Sequence, residues 1–210
     1  MVLNREIMNM STLEIEVKFF LVDMEKIRRR LQKAGARSQG RFFEHNVCFE
    51  NAAQDLKRTE SLLRLRKDEK TTLTYKAKPD GIDADFKVLK ELEVMVSDFD
   101  TTTAILKALG FRQEQVYEKY RETFTLGQTK LCLDSMPFGN FMEIEGQKEG
   151  ILDLAGQLDM PWHRRILWNY RSMFTTIKER LNLGFSDITF DNFREVELEI
   201  ESFLPIFEAG

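Results

Sequence analysis

The chain has 210 residues, 31% of them charged, and a net charge of −4. That is enough for one full hydrophobic core, and too acidic for a broad basic face that grips duplex nucleic acid. Two cysteines, Cys48 and Cys132, build no disulfide framework. No signal-peptide pattern opens the chain, and no stretch approaches the ~20 apolar residues of a membrane span. A cytoplasmic protein, away from membranes, is the expectation.

In chain order, residues 12–21 read as a strand in which Glu14, Glu16 and Lys18 share one face and Leu13, Ile15, Val17 and Phe19 the other. Asp23 then opens a helical pattern that ends at Ala34-Gly35, an N-cap and a C-terminal glycine in the expected places. Residues 40–50 form the returning strand. Strands 61–69 and 71–79 carry Arg64 with Arg66 and Lys76 with Lys78 on alternate positions. Strand 85–96 repeats the acidic pair as Glu91 and Glu93, and a second helix runs from Asp98 to Gly110. Strands 111–125, 128–135 and 139–147 follow, with Lys119 and Arg121, then Lys130, Cys132 and Asp134, then Glu143 and Glu145 on shared parities. After Gly146 the period changes to 3.6, which predicts helices over 149–159 and 164–182, with Trp168, Met173, Ile177 and Leu181 on one face. Within 186–210, Ile188 to Phe193 and Val196 to Phe207 suggest another helix packed outside.

Each strand is therefore apolar on one face and charged on the other, and the charge is sorted by strand. A merely solvated face usually mixes signs. If the sheet curls with the charged face inward, the result is an α+β fold: a closed antiparallel eight-stranded β-barrel, a tunnel lined with carboxylates and bases, with helices packed outside. Lysines and arginines in such a lining suit a polyphosphate, and carboxylates suit a hard divalent cation. The histidines, His45 and His163, have no companion at zinc spacing and read as structural. Cys132 reads as a small buried filler and Trp162 as packing.

These motifs resemble the CYTH superfamily, the triphosphate tunnel metalloenzymes related to class IV adenylyl cyclase and thiamine triphosphatase. Glu14-x-Glu16-x-Lys18 matches its opening signature. Arg64-x-Arg66, Lys76-x-Lys78, Glu91-x-Glu93, Lys119-x-Arg121, Asp134 and Glu143-x-Glu145 follow in the family's order. Asn46 and Cys48 stand where the family often has Asp and Tyr, and Asn169-Tyr170 where Ser-Tyr is usual; both departures bear on substrate preference. The resemblance implies a tunnel domain over 12–182, with 183–210 as an extension packed on it. It implies Lys18, Arg64, Arg66, Lys76, Lys78, Lys119 and Arg121 on the phosphates, with Lys18, Arg64, Arg66, Lys76 and Arg121 contributing to catalysis. Glu14, Glu16, Asp134, Glu143 and Glu145 would hold Mg²⁺ or Mn²⁺, and Glu91 and Glu93 would orient the arginines. The implied activity is a metal-dependent triphosphatase using metal-activated water. The alternatives are a class IV adenylyl cyclase making cyclic AMP and pyrophosphate, and a non-catalytic polyphosphate-binding module. A homodimer stays open.

Overall fold

A computed structural model describes residues 13–79, 81 and 83–210; Thr12 of the first expected strand lies outside these residues. The strands are β1 (Leu13–Phe20), β2 (Arg37–Asn51), β3 (Leu62–Lys67), β4 (Thr71–Ala77), β5 (Lys87–Val96), β6 (Phe111–Leu126), β7 (Thr129–Met136) and β8 (Gly139–Glu145). They close into one antiparallel barrel in the order β1-β5-β4-β3-β2-β6-β7-β8. Closure removes every edge strand. It also forces one parity of each strand inward, which is how eight short alternating patterns become one lining.

The helices are α1 (Met24–Lys33), α2 (Asp55–Arg58), α3 (Phe99–Ala108), α4 (Lys148–Gln157), α5 (Tyr170–Leu181) and α6 (Leu204–Phe207). Asp23 caps α1 by accepting from the Lys26 amide at 2.9 Å, and Asp98 caps α3 by accepting from Thr101 at 2.6 Å. Gly35 and Gly110 follow these helices at φ +82° and +90°, the left-handed conformation that glycine adopts without steric cost. Outside the barrel, Ile27 and Leu31 of α1 and Ile151 and Leu154 of α4 pack on Val17, Phe19, Leu131, Leu133 and Ile144. Leu106 of α3 covers Val47, Phe49 and Leu65. Among the described residues the outer face of β4 and β5 is partly open, with Tyr75, Leu92 and Val94 exposed.

The C-terminal third departs from the expected helices in three places. The helix expected over 164–182 starts at Tyr170, because Ile166 is held extended by two backbone bonds to Lys18 (Lys18 N to Ile166 O 3.1 Å, Ile166 N to Lys18 O 2.7 Å). Asn169 then caps α5 by accepting from the Ser172 amide. Trp168 consequently lies off the helix and packs against Phe207. The tail forms no continuous helix: Ile188 bridges to β6, a 3₁₀ turn spans Ile200–Phe203, and α6 is four residues long. It is nonetheless buried, with Ile188, Phe193, Ile200, Phe203 and Phe207 joining Met173, Phe174 and Ile177 of α5. Finally, α2 escapes a periodicity search because it is one turn long. The buried Glu50 carboxylate holds it by accepting from the Asn51, Leu56 and Lys57 amides.

Phe20, Phe141 and Tyr117 have inward parity, yet they join the apolar cluster of α5 and the tail. That cluster forms the floor of the barrel interior.

Candidate active site: a charged tunnel

The interior encloses a cavity of about 1350 Å³ lined by Glu14, Glu16, Lys18, Arg64, Arg66, Lys76, Lys119, Arg121, Glu143 and Glu145, among others. The inward parity expected for these side chains is the one observed, because the register places Glu16 opposite Glu145, Lys18 opposite Glu143, Arg64 opposite Thr74 and Lys76 opposite Glu91.

At the floor, Asp134 is fully buried and both its oxygens are occupied. Oδ1 accepts from Arg121 Nε at 2.6 Å, while Oδ2 accepts from Lys119 Nζ at 3.0 Å, from the Tyr170 hydroxyl at 2.8 Å and from Arg121 Nη2. Expected among the metal ligands, Asp134 is here the anchor of two bases. Lys18 Nζ lies 4.3 Å from the Tyr170 ring centroid, a cation–π contact, and donates to Glu143 Oε1 at 2.7 Å. Arg121 also donates to Glu143. Burial alone would raise the Glu143 carboxyl, but Lys18, Arg121 and Lys119 hold it well below the usual carboxylate range.

Higher in the tunnel, Lys76 pairs with Glu14 and lies 3.3 Å from Glu91. Lys87 donates to Glu16 at 2.5 Å, and Lys130 donates to Glu145 at 2.7 Å. Burial and Glu143 would raise the Glu16 carboxyl, but Lys87, Lys18 and Lys76 pull it down to about 2. Glu14 goes the other way: burial and repulsion from Glu16 and Glu91 outweigh Lys76 and raise it. Two carboxylates on one strand thus differ in proton affinity according to which lysines surround them.

On the opposite wall, buried Arg64 donates to the Tyr117 hydroxyl at 3.0 Å and to Thr74 Oγ1 at 3.2 Å. Thr74 in turn donates to Glu93 at 3.0 Å, and Arg66 lies 3.9 Å from the same carboxylate. Lys78 falls outside this arrangement. It lies beyond the end of β4 at the cavity rim, where it pairs with Glu60 on the exposed surface.

Two tunnel residues besides the expected set stand out. Glu44 on β2 is buried among Lys119 at 3.6 Å, Arg66 at 3.8 Å and Arg121 at 3.9 Å. Burial would raise it, but Lys119, Arg121, Arg66 and Arg64 bring it down to about 2. Lys87 on β5 faces Glu16. Both were open to the parity rule: Glu44 shares the alternation of Asn46 and Cys48, and Lys87 that of Glu91 and Glu93. Neither belongs to a charged doublet, which is the signal that marked the others.

Several polar atoms of this wall are buried without a hydrogen-bond partner: both amide atoms of Asn46, Arg64 Nε and Glu44 Oε2. Asn46 pairs in register with Arg66 and Tyr117, Glu44 with Lys119 and Arg64 with Cys48, so these atoms come from successive inward rows of β2 and β3. Orphaned buried polar atoms are rare and costly, and here Arg64, which carries one of them, lines the cavity. Among the described residues no three acidic, histidine or cysteine side chains converge on one point. The carboxylate oxygens of Glu14, Glu16, Glu143 and Glu145 are nonetheless the donors that Mg²⁺ and Mn²⁺ favour.

A closed barrel with sorted bases and carboxylates on its interior places the protein in the class of triphosphate tunnel proteins. The chain belongs to the CYTH domain family, whose model matches residues 12–158. A Methanocaldococcus jannaschii protein named "putative adenylate cyclase" is 29% identical over 135 residues, covering 63% of this chain and 76% of the relative. A Pyrococcus horikoshii protein of solved structure is 29% identical, covers 75% of this chain and 96% of its own, and superposes with a TM-score of 0.65. A Vibrio parahaemolyticus "putative adenylate cyclase" shares the fold with a TM-score of 0.69 at 17% identity, covering 78% of this chain and 98% of its own. Among the described residues no helix is long and apolar enough to cross a membrane.

Proposed function

We propose that the protein is a divalent-metal-dependent triphosphatase that binds the triphosphate of its substrate inside the barrel. The observation that carries this reading is the wall of bases, with Arg64 and Lys119 buried and Arg66 and Arg121 partly so, beside orphaned polar atoms of Asn46, Arg64 and Glu44. Among the described residues Arg64 has no carboxylate nearer than Glu93 at 3.9 Å, so an anion entering the tunnel meets a buried guanidinium with donor capacity to spare. A linear polyanion matches the arrangement of these bases around a tube better than a single carboxylate does.

In this reading Arg64 and Arg66 grip phosphate oxygens from one wall, while Lys18, Lys119 and Arg121 approach from the floor and Lys76 from above. Forked guanidinium contacts fix the orientation of the chain of phosphates. Glu93 with Thr74, and Asp134 with Tyr170, hold those bases in place. Glu14, Glu16, Glu143 and Glu145 would hold the Mg²⁺ or Mn²⁺, which supplies charge neutralisation to the phosphates when bound. Phosphoryl transfer asks little more of side chains than position and positive charge where negative charge develops. Water then attacks the terminal phosphorus, and the bases stabilise the departing diphosphate.

A second reading is cyclisation of ATP by attack of its ribose hydroxyl on the α-phosphate. The name carried by the Methanocaldococcus jannaschii relative supports it, as does the extension of the cavity to Trp168, Arg171 and Thr175, beyond the charged layers. Incubation with tripolyphosphate, thiamine triphosphate and ATP, scoring phosphate against cyclic AMP, separates the two. Phosphate release from tripolyphosphate supports the triphosphatase. Cyclic AMP from ATP with no phosphate from any substrate overturns it in favour of the cyclase. No product from any of the three leaves a binding module.

A further inference from the structure

Every carboxylate of the expected metal set already holds a cation of the expected phosphate wall or its neighbours, Asp134 holding Lys119 and Arg121. Glu14 holds Lys76, Glu16 holds Lys87 at 2.5 Å, Glu143 holds Lys18 at 2.7 Å together with Arg121, and Glu145 holds Lys130 at 2.7 Å. The tunnel is neutralised pair by pair rather than divided into an acidic site and a basic site. Among the described residues, no three acidic side chains meet at a point that could take a metal.

We infer that the tunnel takes metal and triphosphate only together, by exchanging partners: each lysine moves from its glutamate to a phosphate as that glutamate turns to the cation. The inference rests on the triphosphatase reading and adds a thermodynamic consequence to it. A divalent cation entering alone meets Lys87 and Lys130 on the oxygens it needs. A triphosphate entering alone meets Glu14 and Glu16 on the lysines it needs. Each ligand by itself must break ion pairs in a buried setting and leave one member of each uncompensated, which is the costly outcome for a buried pair. When both enter, every broken pair is replaced by two new ones. Binding is then coupled, and the coupling is reciprocal by linkage.

The consequence runs against intuition about charge in a binding site. Removing a lysine should improve metal binding in the absence of phosphate, and removing a glutamate should improve triphosphate binding in the absence of metal. Lys130–Glu145 is the better pair for the test, since it is partly exposed and its loss should cost the fold little. Lys87–Glu16 is the more buried counterpart.

Free Mn²⁺ is measured by its electron paramagnetic resonance signal in titrations with the full-length protein, and tripolyphosphate binding by calorimetry in EDTA. The wild type should bind each alone weakly, and each should tighten the other by roughly 5–150-fold, the usual span of coupling between sites. Lys130→Met and Lys87→Met should bind Mn²⁺ alone at least about tenfold more tightly than the wild type, a free-energy change of about 1.4 kcal/mol. Glu145→Gln should bind tripolyphosphate more tightly in EDTA. Lys107→Met, which removes the same charge from the end of α3 on the outer surface, should leave Mn²⁺ binding unchanged and so controls for net charge. If the wild type binds Mn²⁺ alone as tightly as both lysine variants do, the partner exchange is wrong even though tripolyphosphate still binds. If no form binds tripolyphosphate with or without Mn²⁺, the triphosphatase reading itself falls.

Discussion

The Tyr170 hydroxyl donates to Asp134 Oδ2 at 2.8 Å, tying the first turn of α5 to the floor of the barrel. The same tyrosine ring lies under Lys18 at 4.3 Å and Lys119 at 5.3 Å. One side chain from outside the sheet therefore sets the position of an acid and two bases within it. Tyr170→Phe keeps the ring and deletes only the hydroxyl. It should lower stability in urea by about 1.5–3 kcal/mol, the range for a hydrogen bond to a charged group. Tyr170→Ala should cost more and should also reduce triphosphate affinity. A Tyr170→Phe variant as stable as the wild type would show that Lys119 and Arg121 hold Asp134 unaided.

Arg64 reaches Tyr117 and Thr74 with its two terminal nitrogens and keeps Nε free. Lysine has the charge without the fork. Arg64→Lys should raise KM for tripolyphosphate by the equivalent of about 1–3 kcal/mol, with a smaller effect on pyrophosphate. Equal losses on both substrates would place Arg64 outside the part of the tunnel that only the longer chain reaches.

Glu44 gives the tunnel an acid limit. Its carboxyl is held down to about 2 by the bases around it, against an ordinary value of 4.5. A depressed folded-state pKa contributes stability that is complete above the unfolded value and is lost as pH falls through the folded one. The wild type should therefore lose stability between about pH 4.5 and 2 as this carboxylate takes up its proton, with Glu16 adding to the loss in the same window. Glu44→Gln should be less stable at pH 7, because three cations lose their shared anion, and should show a shallower acid decline. Urea midpoints measured from pH 7 to 3 check both points, and parallel curves for the two proteins would exclude Glu44 as a source of the decline.

Chelation should abolish turnover, and Mg²⁺ or Mn²⁺ should restore it. Glu145→Ala should reduce kcat by roughly 10²–10³, the usual loss on deleting one preorganised electrostatic group. Its thermal unfolding should stay near that of the wild type, because Glu145 and Lys130 are only partly buried. Full activity in excess EDTA would remove the metal from the proposal.

The charge sorting was legible because strand alternation is a local property with a period of two. Glu14, Glu16 and Lys18 face the same way whatever surrounds them, and so do Arg64 with Arg66 and Glu143 with Glu145. Helix boundaries at Asp23, Gly35, Asp98 and Gly110 were legible for the same reason, since caps act within one turn. The start of α5 was not, because Ile166 is held extended by Lys18, a partner 148 residues away in the chain whose backbone is open to it because the β1–β5 pairing stops at Glu16 and Lys87. The tail's apolar residues announced burial correctly, but the helix they suggested did not form, because Ile188 bridges to β6 and the rest packs on α5 as short turns. The chain by itself determined which residues face the tunnel. Only barrel closure decided that Glu16 meets Lys87, that Asp134 is spent on Arg121, Lys119 and Tyr170, and that Glu44 rests among three bases. Those pairings depend on strand register and on curvature around the barrel, and Coulomb energy falls with a distance that no single strand contains.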